Sequence, residues 1–385
     1  MNTSWAALVL AAVLFPACGG EPAASGGSLG VFEALSGGDV SGYRRAVEPP
    51  QWSFPRDHGA HPEFRTEWWY WTGNLRGEDG AEYGFQLVFF QQAVASAMEP
   101  RSSAMAARHL VLAHAALTDV RAGAYRHAER LARAAGGLAG VAGPAPGVPF
   151  RVHCEDWSAN AADDTGLFPL RLRVAERDFA FDLELDQPEP VVAQGERGLS
   201  RKGGEPGNAS VYYSIPRMRV QGTVRSGARS AAVRGSAWLD REWSTSSLAE
   251  GQVGWDWFSL QFEGGEELMW YQLRREDGSV DPWSKGSFVH ADGRVEVLAP
   301  AQVRLAPGRR WLPDDRAAGY PVQWELQVPH LGLDLRIEAK VDHQELRTVV
   351  RYWEGCVRVQ GTREGQPLGG EGYLEMTGYV EGARR

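Results

Sequence analysis

Residues Asp57–Leu75 read DHGAHPEFRTEWWYWTGNL, with four consecutive aromatics, Trp68, Trp69, Tyr70 and Trp71. Successive side chains of a strand point to opposite faces, so one packed core cannot take all four. Some of them must line a second surface, and large aromatic patches outside a core mark binding sites. Directly ahead stand Asp57, His58, His61, Glu63, Arg65 and Glu67. Indoles beside a few carboxylates and imidazoles suit an apolar ligand that needs one polar operation.

The same alternation runs outward through the chain. FAFDLELD (179–186) places Phe179, Phe181, Leu183 and Leu185 on one face, and LRLRV (170–174) does likewise. The Glu176-Arg177-Asp178 turn predicts a hairpin between them. WELQV (324–328), LDLRIEAKV (333–341) and LRTVVRYW (346–353) repeat the pattern. Turns are expected at Glu78-Asp79-Gly80, Asp277-Gly278, Asp292-Gly293 and Gly369-Gly370. Helical periodicity is nearly absent, apart from a short helix or loop within 93–107 and an Ala/Gly/Pro-rich insertion at 130–149. The predicted class is all-β: two antiparallel β-barrel domains packed together, since closure removes exposed sheet edges. YWTG (70–73) and YWEG (352–355) are read as an internal echo of such a duplication.

At the N-terminus, WAALVLAAVLF (5–15) is an apolar run too short to span a bilayer, and it leads to Pro16, Ala17 and Cys18. This predicts a lipoprotein export signal over 1–17, with Cys18 the lipidated residue. A Gly/Ser/Ala-rich tether follows over 18–48, then domains over 49–248 and 249–385. The expected location is the cell envelope, at the outer membrane or facing the periplasm, held to the membrane by the lipid. The net charge of −9 excludes nucleic acid as a natural partner. Fifteen tryptophans in 385 residues is about three times ordinary usage and favours a binding cavity. Cys154 and Cys356 carry no spacing signal, so a disulfide and two isolated thiols both stay open.

EFRTEWWYWTGNL (63–75), YGFQLVFFQ (83–91), HAALTD (114–119), YYSIPRM (212–218), GSAWLDREWS (235–244) and GWDWFSLQ (254–261) together resemble the AttH-type lipocalin-like family. Its relatives are the carotenoid 1,2-hydratases, also called hydroxyneurosporene synthases. The resemblance implies lipocalin-like barrels and, in the hydratase branch, addition of water to an isolated C=C bond of an isoprenoid. In the AttH branch it implies a hydrophobic-ligand carrier associated with an ABC-type export system. Where the hydratases are expected to show Asp-His-Asn-Trp, this chain has Asp240-Arg241-Glu242-Trp243, so the Asp and Trp match and the His does not.

Strand alternation puts Trp238, Asp240 and Glu242 on one face, with Leu239, Arg241 and Trp243 on the other. Two carboxylates beside an indole are what acid catalysis on an apolar substrate requires, because desolvation keeps a carboxyl protonated. The competing reading is an ion pair that pins the barrels together. Asp256 is a second candidate acid, flanked by Trp255 and Trp257. Candidate catalytic residues are therefore Asp240, Glu242 and Asp256. Candidate ligand-binding residues are His58, Glu67, Trp69, Trp71, His114, Tyr213, Trp238, Trp243, Trp255, Trp257 and Tyr271, with His58, His114 or Tyr213 holding the water. The cavity is expected inside the N-terminal barrel, between 67–71, 85–89 and 238–243. No metal site is expected, because Pro62 prevents His58 and His61 from sharing a helix face. No nucleophile elbow or phosphate loop occurs, and no cofactor is implied. A purely structural envelope role is the third class, and it leaves the indole–carboxylate clusters without a use.

Overall fold

The computed structural model describes residues 40–94, 103, 106–186, 190–246, 248–315 and 319–379. The export signal, Cys18, most of the tether and most of 95–105 lie outside the described residues. Helix is confined, among those residues, to three short 3-10 turns at Arg56–His58, Pro300–Gln302 and Pro329–Leu331. Everything else regular is antiparallel β.

The first sheet has thirteen strands, all from Thr66 to Ser244. At its centre Arg229–Ser244 lies between Thr66–Gly77 and Ala209–Ser226. The sheet curls until its ends approach: Arg130, on the edge strand Ala124–Arg133, pairs with Glu155, Asp156 and Glu176 near the other end. Arg130 also covers the Trp157 ring, 5.1 Å from its centroid. The resulting barrel is nearly closed around Trp69, Trp71, Phe85, Trp157 and Phe181. The expected hairpin forms between Leu170–Ala175 and Phe179–Asp186, and its alternate residues enter that core. The second sheet has ten strands, from Gln252 to Met376, over a core that includes Phe258, Trp270, Trp324 and Trp353.

Several sequence expectations are corrected. The stretch 130–149 is not a plain insertion, since it ends one strand at Arg133 and supplies another at Ala139–Ala142. LRTVVRYW does not run straight: Glu345–Arg347 folds back on Arg351–Arg363, with Thr348 Oγ1 donating to Val350 O at 2.5 Å. Both flanking arginines hold Glu345, which stabilises the reversal. Gly369-Gly370 lies inside the strand Gln366–Met376, and the turn is instead at Glu364-Gly365, where both φ angles are positive. The glycines in that strand serve close approach, because a Cβ on Gly372 would lie 2.0 Å from Ser259 O. The YWTG/YWEG echo marks no equivalence: Thr66–Gly77 is the first strand of its sheet, between Glu82–Ala93 and Arg229–Ser244, whereas Arg351–Arg363 is the next to last of its own, between Gln366–Met376 and Leu333–Ala339. Cys154 and Cys356 are both free and buried, the first in the barrel core and the second between the sheets.

The two sheets dock through Tyr70, Val88, Tyr212 and Trp238 on one side and Trp257, Met269, Tyr271 and Tyr373 on the other. Polar contacts fix the docking angle. Asn74 Nδ2 donates to Gly372 O at 3.0 Å, Thr118 Oγ1 to Gln344 Oε1 at 2.7 Å, and Arg217 pairs with Glu267 at 2.6 Å.

Candidate active site

The central strand separates two environments. In register across three strands, Tyr70, Asp240 and Ser214 form one row and Trp68, Glu242 and Tyr212 the next. These rows face the second sheet. The intervening rows, Trp69–Arg241–Tyr213 and Glu67–Trp243–Val211, face the barrel core. The second sheet answers with Trp257, Glu375 and Glu354 in one row.

Between the two sheets lies a cavity of about 160 Å³. Trp68, Tyr70, Tyr212, Asp240 and Glu242 wall it from the first sheet, and Trp255, Trp257, Tyr271, Tyr352 and Glu375 from the second. The expectation of a cavity inside the N-terminal barrel is thus corrected. That interior is filled by its own indoles and phenylalanines, and the free space arises where two aromatic sheet faces meet imperfectly.

Asp240 accepts hydrogen bonds from Ser214 Oγ at 2.6 Å, Trp238 Nε1 at 2.6 Å and Tyr212 Oη at 2.5 Å. Three of its four lone-pair sites are filled, and the fourth, on Oδ2, is left for a proton. Burial pushes its carboxyl up to about 7 against these three donors, and the charge of Glu242 adds to the rise. Glu375, which accepts from Trp255 Nε1 at 2.6 Å, is likewise pushed up to about 7, mainly by burial. Behind it, burial and the charge of Glu375 hold Glu354 well above the ordinary range, while Tyr70 Oη donates to it at 2.5 Å. Glu242 instead meets Lys202 Nζ at 3.3 Å. Burial opposes the lysine's charge, but Glu242 and Tyr271 outweigh it, and the ammonium sits 4.1 Å above the Tyr271 ring.

Asp240, Glu242, Trp255, Trp257 and Tyr271 therefore come together at the cavity. Trp238 stands just behind, bonded to Asp240 and edge-on to Trp257. The other candidates do not reach it. Trp71 packs in the barrel core. His58 Nδ1 bonds Tyr213 Oη at 2.7 Å within the first sheet's interior, Trp69 donates to His58 O, and Trp243 stacks 3.7 Å from His61. Burial and Arg241 depress His58 to about 4, so it is neutral and structural. Glu67 is held by the fully buried Arg241, by Gln91 and by His61 N. Asp256 points into the second sheet's core, 3.1 Å from Arg274 and 2.9 Å from Tyr379 Oη. His114 lies one side chain back, behind Tyr352. No three His, Cys, Asp or Glu side chains converge as a metal site among the described residues.

Sequence reading missed Glu354, Glu375, Tyr352 and Lys202 as site residues. The signal was a carboxylate inside each buried aromatic run, Tyr352-Trp353-Glu354 and Tyr373-Leu374-Glu375.

With the architecture and cavity established, comparison assigns the family. The AttH-like family model matches residues 45–379. The chain belongs to the AttH-like family. An AttH crystal structure from Nitrosomonas europaea is 34% identical, with a TM-score of 0.74, covering 87% of this chain and 99% of that one. Kievitone hydratase from Nectria haematococca shares the fold, with a TM-score of 0.66 at 15% identity, covering 88% and 96%. No curated protein is a significant match. Within this AttH-like chain, Arg241 faces the barrel core, whereas Glu242, which stands where Asn is expected in Asp-His-Asn-Trp, lines the cavity.

Proposed function

We propose that this AttH-like protein is a hydratase-type lyase that adds water to a C=C bond of a hydrophobic, isoprenoid-like ligand in the cavity between its sheets. One observation carries the reading: Asp240 sits in an aromatic cavity with its carboxyl poised near neutrality and one oxygen site open. Protonated Asp240 gives its proton to one alkene carbon. The π pair forms the new C–H bond, and the neighbouring carbon becomes a tertiary cation, which water captures. Trp68, Trp255 and Trp257 offer π-faces to that cation, and ionised Glu375 balances its charge. A cavity of ~150 Å³ holds one benzene-sized ring, so this one takes the end of a long ligand and leaves the rest outside, past Trp68, Phe90 and Leu248. The fold shared with kievitone hydratase agrees with the reading without carrying it.

The test is incubation of geranylgeraniol with the protein in H2(18O). One 18O in a tertiary alcohol supports hydration, whereas unchanged isoprenoid recovered from the protein supports the second reading. That reading is a carrier working with an ABC-type exporter, favoured by the number of cavity carboxyls already satisfied by donors. Either role suits an exported protein anchored through Cys18 in the cell envelope. A Cys18→Ser chain that stays membrane-associated and fully processed would contradict the anchor.

A further inference from the structure

We propose that Tyr352, His114 and Glu129 form a proton path from the cavity to solvent, in which Tyr352 takes the proton of the attacking water. The inference rests on the hydration reading of the same cavity. Tyr352 belongs to the second sheet, but its hydroxyl reaches across to the first. It accepts from Gln86 Nε2 at 2.9 Å and lies 2.8 Å from His114 Nδ1. His114 and Glu129 are directly opposite on neighbouring strands, with His114 Nε2 2.9 Å from Glu129 Oε2. His114 is fully buried, whereas the Glu129 side chain is 19% exposed on the sheet's edge strand. The chain of contacts therefore runs from cavity wall to protein surface without a gap.

The chemistry of the partners fixes its direction. Burial acts against the Glu129 charge, but His114 and a backbone donor at Val349 outweigh it and hold the carboxyl below its usual range. An ionised carboxylate only accepts, so Nε2 of His114 carries a proton, and in the neutral imidazole Nδ1 offers its lone pair. The Tyr352 O–H then donates to Nδ1. With one lone pair filled by Gln86, the other is left for a water in the cavity. Burial, Glu354 and Glu375 together push the Tyr352 phenol well above its ordinary value, so phenolate does not accumulate and the two transfers occur together. Beside the path stand His127, whose Nε2 accepts from Arg347 N, and the Tyr125 hydroxyl.

As the water oxygen bonds to the cation, one water proton passes to Tyr352 Oη while the tyrosine's own proton passes to His114 Nδ1. The imidazolium is balanced by Glu129 and releases its Nε2 proton to solvent by way of that carboxylate, which leaves the Nδ1–H tautomer. The starting tautomer returns when Nε2 regains a proton from solvent through Glu129 and Nδ1 passes its own back through Tyr352 and a cavity water to Asp240. The substrate has gained H and OH, and every residue is then restored. Tyr352 touches the reacting water, whereas His114 and Glu129 act through it as positioning residues.

The experiment uses the full chain labelled with 15N-histidine, alongside 18O incorporation into geranylgeraniol. NMR is expected to show neutral His114 protonated at Nε2, with an Nδ1 resonance that moves in Tyr352→Phe. That variant should lose about 100-fold in kcat with KM within threefold, and the conservative, partly exposed Glu129→Gln about 10-fold. An Nδ1-protonated His114, or a Tyr352→Phe enzyme with unchanged kcat, overturns the path. If the wild type incorporates no 18O, the hydration reading fails, and the tautomer alone then decides whether protons run from Tyr352 toward Glu129.

Discussion

The two faces of the strand Arg229–Ser244 use the same residue types to opposite ends. On the barrel side, Arg241 meets Glu67, donates to Gly59 O and lies 3.9 Å over the Trp69 ring, so each charge is matched and stacked. On the docking side, Asp240 is also buried but accepts from neutral donors beside another carboxylate, and among the described residues no cation pairs with it. The first arrangement fixes a shape. The second keeps a carboxyl near its titration midpoint, which is the condition for giving and retaking a proton at neutral pH.

The largest expected effect comes from breaking the matched side. Arg241→Met strands Glu67 as an uncompensated buried charge and should cost about 3–5 kcal/mol in urea unfolding. A loss under 1 kcal/mol would mean that the barrel-side pair is dispensable. On the docking side, Asp240→Asn should lower turnover at least about 100-fold while changing unfolding free energy at pH 6 by less than about 1.5 kcal/mol. Asp256→Asn sharpens the contrast. It should lower stability by separating Arg274 from its partner and leave turnover within about twofold, since Asp256 never faces the cavity.

The difference also has a pH signature. The folded-state values of Asp240 and Glu375 are raised, so the folded chain keeps protons that the unfolded chain releases between about pH 4 and pH 7. Their contribution is thus least unfavourable at low pH, and stability falls as pH rises through that window. Asp240→Asn should flatten the fall, gaining on wild type by a few kcal/mol at most between pH 5 and pH 8. Turnover needs Asp240 protonated and Glu375 ionised, so the rate should peak near pH 7 and fall on both sides, with apparent values that belong to the coupled pair. Glu375→Gln should remove the acidic limb. The smallest effect belongs to Tyr70→Phe, which deletes one donor to Glu354 and should cost about 1 kcal/mol by thermal unfolding.

Alternation was legible from sequence because it needs only local chemistry. Phe179, Phe181, Leu183 and Leu185 enter one core, and Trp238, Asp240 and Glu242 share a face, as their spacing requires. Which face borders free space was not legible, because the cavity comes from docking two sheets whose residues lie far apart in the chain. Glu67, Trp69 and Trp71 belong to the aromatic run, His58 and Tyr213 are read as water-holding groups and Trp243 ends the Trp238–Trp243 motif, yet all six fall on the barrel side. Glu354 and Glu375 were passed over because each looks like an ordinary outward strand residue until the opposing sheet covers it. The reversal at Thr348–Val350 was hidden for a related reason: Val349 and Val350 read as strand, and the turn depends on Glu345 held between Arg347 and Arg351.

The central claim is that the Asp240 carboxyl titrates near neutral pH. It is tested most directly by a 13C-carboxyl NMR titration of aspartate-labelled protein, with Asp240→Asn assigning the resonance. The account predicts a carboxyl that titrates near pH 7 and is missing from the variant. An Asp240 resonance that titrates near pH 4, in the ordinary aspartate range, would contradict it.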